Sequence, residues 1–142
     1  MYGKDKIHTT NYTDTFIEVA EDCSVTEGKI PVQKGEKKSV AQQQYELIAG
    51  HPYEFTSDDV LFQVFADRNG IEQSDYEAAR KEFFSKGQPC FRASPLTKTH
   101  GFGVHADQNG KIAIYGVESS TYRDFINNPE IRKVKAMRTS RK

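Results

Sequence analysis

Cysteine is scarce in this 142-residue chain, with two in all, Cys23 and Cys90. A pair so far apart supplies neither a disulfide framework nor a CxxC metal site. Long apolar runs are missing too, and none approaches the roughly 20 residues of a bilayer-spanning helix. The opening stretch, MYGKDKIHTT, has no apolar core of a secretory signal. These absences set the expectation of a cytoplasmic, reducing environment and no membrane partner. Net charge is absent as well, since Lys+Arg and Asp+Glu number 20 each. No global field draws in nucleic acid, which is disfavoured as a partner. Gly87, Gly101, Gly103 and Gly110 form neither GxxxxGK[ST] nor GxGxxG, so nucleotide binding has no motif. His100 and His105 stand five apart with no cysteine pair beside them, which is not a metal-ligand spacing. No cofactor and no metal are expected.

What is present suits a single globular domain over residues 1–142. Hydrophobic residues make up 36% of the chain and aromatics 11%, and a chain of this size buries about 68–70% of its unfolded surface. Charge is segregated despite its zero sum. After Glu130 come Arg132, Lys133, Lys135, Arg138, Arg141 and Lys142 with no acid, while Glu54 to Glu82 holds eight acids against Arg68, Arg80 and Lys81.

Period-2 alternation of Thr15, Ile17 and Val19 with Phe16 and Glu18 predicts a first strand within 13–20. A polar loop follows over 21–38, and loops of that length are uncommon unless functional or mobile. Cys23 lies between Asp22 and Ser24, where a neighbouring acid disfavours the thiolate and makes it a poor nucleophile. Helical spacing predicts a helix over 39–49, stopped by Gly50 and Pro52. Thr56 or Ser57 caps a second, ended by Asn69-Gly70, with Asp58 and Asp59 at the positive end of its dipole. Ser74 to Glu77 has capping-box spacing for a third helix, closed by Gly87. Ser119 or Ser120 caps a short helix through Asn127. Residues 131–138 fit either a helix or a lysine-blunted edge strand, and the strand is preferred. The tail, 139–142, is expected to be loose.

The stretch from Phe84 to Ser119 holds the clearest strand signals and most of the reactive side chains. Between Pro89 and Pro95, Cys90 to Ser94 reads as a short strand with Phe91 and Ala93 on one face and Cys90, Arg92 and Ser94 on the other. Phe102 to Gly116 reads as a hairpin. A two-residue Asn109-Gly110 turn mixes polar and apolar partners across it. A three-residue loop, Gln108 to Gly110, pairs Val104 with Ile114, Ala106 with Ile112, His105 with Ala113, Gly103 with Tyr115 and Asp107 with Lys111. Only that register separates the faces. The fold class is therefore α+β: an antiparallel sheet of about four to five strands with three to four helices mainly on one face.

On these faces the polar side gathers Cys90, Arg92, Ser94, His105 and Tyr115, with Lys86, Lys98 and His100 on flanking loops. Cys90 and His105 are the candidate catalytic pair, because a basic neighbour activates a thiol. Arg92, Ser94, Lys86, Lys98, His100 and Tyr115 are the candidate ligand-binding residues, since a planar guanidinium beside a hydroxyl suits a carboxylate or phosphate. The functional expectation is a polar pocket on the sheet that binds a small anionic ligand, with enzymatic activity as its extension. The alternative is an interaction module that binds a protein partner or nucleic acid through the basic C-terminal tail, weakly and with steep salt dependence.

HTTNY, TSDDVLF, FFSKGQPCFRASPLTK with GFGVH, GKIAIYGVES and KAMR together resemble a family of small bacterial proteins known only as a domain of unknown function. The resemblance spans nearly the whole chain, and Phe102 stands where many relatives carry tryptophan. It implies a bacterial single-domain protein and brings no activity, cofactor or catalytic residue with it.

Overall fold

The computed structural model of the chain describes residues 7–139. In chain order the elements are β1 (Thr15–Glu18), α1 (Val40–Ala49), α2 (Ser57–Arg68), α3 (Tyr76–Phe83), α4 (Pro95–Lys98), β2 (Phe102–Ala106), β3 (Ile112–Gly116), α5 (Ser120–Asn127) and β4 (Arg132–Lys135). Four strands form one sheet in the order β3-β2-β1-β4, so the fold is α+β. The sheet is mixed where an antiparallel one was expected. β2 runs antiparallel to both β1 and β3, whereas β4 is parallel to β1. The cause is the α5 connection, which crosses the sheet from the β3 edge to the far edge, and a helical crossover returns the chain parallel.

The hairpin has the three-residue loop, with Val104 opposite Ile114, Ala106 opposite Ile112, His105 opposite Ala113 and Gly103 opposite Tyr115. Gly110 takes the left-handed conformation at φ +81, which glycine adopts without a Cβ clash. Asp107 Oδ1 accepts from the N–H groups of Asn109 and Lys111 at 2.8 and 2.9 Å and fixes the loop from inside.

That register gives the sheet two different faces. Ile17, Phe102, Val104, Ala106 and Ile112 pack in one cluster with Ile48 of α1, Val60 and Val64 of α2, Phe91, and Leu96 of α4. Phe16 and His105 pair on the opposite face, which α5 covers. Phe16 meets the rings of Tyr122 and Phe125 there, each at 4.9 Å between centroids. Gly103 makes this possible, because a Cβ at 103 would sit 2.7 Å from the Tyr122 ring and 3.0 Å from the Ile17 carbonyl oxygen.

The helix starts follow local chemistry. Ser39 caps α1 by accepting from the Gln42 N–H. Thr56 and Asp59 form a reciprocal capping box on α2. Asp58 is buried and holds the N-terminal segment instead, its carboxylate accepting from the Thr9 hydroxyl, the Thr10 N–H and the Thr10 hydroxyl at 2.6, 2.8 and 2.7 Å. In return the Asp58 N–H donates to Asn11 Oδ1. HTTNY and TSDD are thus the two halves of one clamp. At α3 the expected capping box is not formed. A 3-10 turn over Gln73–Asp75 leads into the helix, with no side-chain cap, and the helix ends at Phe83, before Gly87.

The strand expected at Cys90–Ser94 is also corrected. Phe91–Ala93 is a 3-10 turn running into α4, in which Ser94 is the N-cap and Pro95 opens the helix. Cys90 Sγ accepts from the Arg92 N–H at 3.4 Å and Ser94 Oγ accepts from the Leu96 N–H at 3.0 Å. A Ser-Pro pair is a helix start, since proline has no N–H to leave unsatisfied in the first turn.

Residues between Glu18 and Val40 contain no helix or strand, and the loop is tied at intervals, as by Lys29 N–H to the His100 carbonyl at 2.7 Å and Gly28 N–H to Glu118 Oε1 at 2.8 Å. Residues 131–138 include the strand β4. Thr139 is held rather than loose, donating its hydroxyl to Asp22 at 2.7 Å; residues 140–142 lie outside the described residues.

The clamp sets a test. Removing a buried charged acceptor leaves several donors without partners, at about 2–3 kcal/mol. Asp58→Ala is expected to lower urea stability by that amount, while the exposed Asp124→Ala stays within about 0.5 kcal/mol. Equal effects would remove Asp58 from its structural role.

Candidate functional site

The residues expected to form one constellation occupy two neighbourhoods. On the α5-covered face of the sheet, His105 and Tyr115 are brought together, and the residue that joins them is Tyr53. Its hydroxyl lies 2.8 Å from His105 Nδ1 and 2.9 Å from the Tyr115 hydroxyl. Phe125 stacks on the imidazole at 4.2 Å between centroids. Tyr53 reaches this place from the segment after α1 through a left-handed backbone at φ +61. A bulky residue there is strained by roughly 1–3 kcal/mol. Its N–H donates to the Ile112 carbonyl at 2.9 Å, and the Ile112 N–H donates to the Phe55 carbonyl, so the segment is pinned along the β3 edge.

Burial lowers the pKa of His105, against Asp107 and Asp14, which pull it up. The imidazole is therefore neutral near pH 7. Burial also raises Tyr53, helped by the Tyr115 hydrogen bond and by Asp107, so the phenol keeps its proton and donates to one of its two partners. The nearby carboxylates make this network a poor seat for an anion.

Cys90 and Ser94 lie elsewhere, lining a groove of about 360 Å³ between α1, α2 and the segment 88–95. Cys90 Sγ stands 3.6 Å from the Tyr12 hydroxyl. Burial raises the Tyr12 pKa, the Cys90 hydrogen bond adds to this, and Arg92 and Arg132 oppose it. Ser94 gives its hydroxyl proton to Gln44 Oε1 at 2.6 Å, with both residues buried. Cys90 and His105 share no partner, so the expected catalytic pair is not assembled.

The remaining candidates are dispersed. Arg92 Nε donates to the Lys135 carbonyl at 2.6 Å. His100 Nδ1 is 3.1 Å from the Lys29 carbonyl oxygen. Lys98 is in α4. Lys86 lines a separate cleft, which shares Phe65, Phe83 and Gln88 with the groove. In the basic C-terminal segment, Arg138 pairs with Glu21 at 2.9 Å and Lys133 Nζ donates to the Asn128 carbonyl at 2.6 Å.

Arg68 is the functional candidate that sequence reasoning missed. It closes α2 at the mouth of the groove, and Nη1 donates to the Lys38 carbonyl and to Gln43 Oε1, each at 2.9 Å. Both acceptors are neutral, and among the described residues no carboxylate pairs with it. Its signal was available: Leu61, Val64, Phe65 and Arg68 follow i, i+3, i+4, i+7 and form one stripe of α2. A larger cleft of about 710 Å³ lies across α2 and α3. Glu54, Asp59, Asp67 and Glu77 line it, and the one cation there among the described residues, Arg80, is already paired with Asp59 at 3.0 Å. Among the described residues no group of three metal-ligating side chains is present, and no helix is long and apolar enough to cross a membrane.

His105 gives a pH prediction. Its folded pKa lies below its unfolded value of about 6.5, so the unfolded chain binds the proton first and stability is lost as pH falls from there through the folded pKa. In His105→Gln, the drop in urea midpoint on acidification below about pH 6.5 is expected to be shallower than in the parent. An unchanged drop would contradict this.

Comparison with curated proteins and with solved structures finds no match. Residues 7–142 match the family of unknown function DUF6157, nearly the whole chain, and the protein belongs to that family.

Proposed function

We propose that the protein binds a small anionic ligand in the groove between α1, α2 and residues 88–95. The carrying observation is Arg68, a guanidinium oriented by two neutral acceptors at the groove mouth and, among the described residues, without a carboxylate partner. A guanidinium so fixed offers its remaining N–H groups to a carboxylate or phosphate oxygen with little further ordering. Val40, the first residue of α1, lines the same groove. The positive end of that helix dipole supports negative charge there. Lys37 and Lys38 lie with Arg68 around an adjoining cleft, although Asp67 shares it and Lys38 is paired with Glu46 at 2.6 Å.

The groove's volume of about 360 Å³ falls near the small end of ligand clefts, about 300–1,000 Å³. The reading assigns recognition and no bond-making step. It keeps the expected class of ligand and moves it from the sheet, where Asp14 and Asp107 oppose an anion, to the helical side.

A thermal-shift screen of small carboxylates and phosphate esters tests it. Anions that raise Tm are expected to lose about tenfold or more in affinity in Arg68→Gln, the effect of one charge-assisted hydrogen bond worth about 1.5–3 kcal/mol. They should bind unchanged to Lys98→Ala. If no anion shows Arg68-dependent binding, the proposal fails.

A further inference from the structure

Resting on the groove as an anion site, the geometry points to its ligand class: a monocarboxylate with an apolar body, its head at Arg68 and its chain along the α2 stripe toward Cys90. Three observations select it. The first is charge, since Arg68 is the one charged side chain lining the groove among the described residues. A phosphate monoester carries about −1.5 to −2 at pH 7, more than one guanidinium balances, whereas a carboxylate carries one charge and matches the planar fork.

The second is the wall. Leu61, Val64 and Phe65 of α2 line the groove together with Phe83, Pro89 and Ala93, the Phe65 and Phe83 rings in contact at 4.6 Å between centroids. An apolar chain laid there gains roughly 25 cal/mol for each Å² it removes from water, and a bare inorganic anion gains none of it. The third is the state of the polar side chains along that wall. Ser94 is committed on both sides, donating to Gln44 and accepting from the Leu96 N–H. Cys90 Sγ is occupied by the Arg92 N–H and the Tyr12 hydroxyl. A second polar end on the ligand would thus find no free partner at Ser94 or Cys90, and the other polar side chains lining the groove, Gln44, Asn69 and Gln88, are neutral.

Isothermal titration with octanoate, acetate, octyl phosphate and octylamine against the whole protein, and against Arg68→Gln and Arg68→Lys, tests this. Octanoate is expected to bind at least tenfold more tightly than acetate and than octyl phosphate. It should lose about tenfold in Arg68→Gln, and Arg68→Lys should recover only part, since a point charge replaces a fork. Octylamine should not bind at the site. If acetate binds as tightly as octanoate and depends on Arg68, the apolar-body inference is overturned while the anion reading stands. Octyl phosphate binding more tightly than octanoate overturns the monocarboxylate class. If none of the probes shows Arg68-dependent binding, both fall. Backbone amide shifts in the parent add a positional check: octanoate is expected to move Val64, Phe65 and Gln88, and shifts confined to the sheet residues 102–116 would place the chain elsewhere and overturn the inference.

Discussion

The register of β2 against β3 is the constraint on which the rest of the structure depends. One residue of slip would exchange the faces of the strand and send Val104 and Ala106 outward and His105 inward. Gly110 and the Asp107 carboxylate set that register at the loop. With the faces fixed, the apolar side can hold α1, α2 and α4, and the other side can hold α5. The two chemical neighbourhoods follow from this division. The Tyr53–His105–Tyr115 network belongs to the α5 side, and the groove belongs to the helices that the apolar face gathers.

The groove exists because its parts are held by bonds that have nothing to do with a ligand. Asp58 ties the start of α2 to Thr9, Thr10 and Asn11. Ser94 ties the start of α4 to Gln44 of α1. Arg68 is oriented by the start of α1. Under the proposed reading, a guanidinium supported in this way would be ordered before a ligand arrives, which is the condition for a modest number of contacts to give measurable affinity. Arg68 is exposed at the rim, so salt is expected to weaken the head-group contact. The apolar wall is insensitive to that screening, and under the proposed reading a chain-bearing ligand would gain there over a bare anion.

Much of the fold was legible from residues alone. The hairpin register could be read because only one loop length segregates Val104, Ala106, Ile112 and Ile114 from His105 and Tyr115. The caps at Thr56 and Ser119 were legible from local rules, each read with an equal alternative, Ser57 and Ser120. What was misread came from tertiary or competing local causes. Cys90 to Ser94 alternates like a strand, but Ser94-Pro95 starts a helix and outweighs five residues of alternation. The parallel placement of β4 depends on which edge α5 crosses to, and no residue in 119–138 encodes that. The site was legible only in part. His105 and Tyr115 were read on one face, yet Tyr53, which joins them, follows a Gly-His-Pro turn with no pattern of its own. Cys90, Arg92 and Ser94 were grouped on a strand that does not form. Arg68 could have been found from the α2 stripe, where an apolar series ends on a cation, but it was counted only as a minority charge in an acidic stretch.

The central claim is that the Arg68 guanidinium is the receptor for a carboxylate head. It is tested most directly on that group itself, by following the Arg68 Nε–Hε resonance while octanoate is added at constant pH and ionic strength. The account predicts a saturable shift of this resonance that tracks the shifts of the Val64 and Phe65 amides with one dissociation constant. An Arg68 resonance that stays in place while other signals titrate would contradict it.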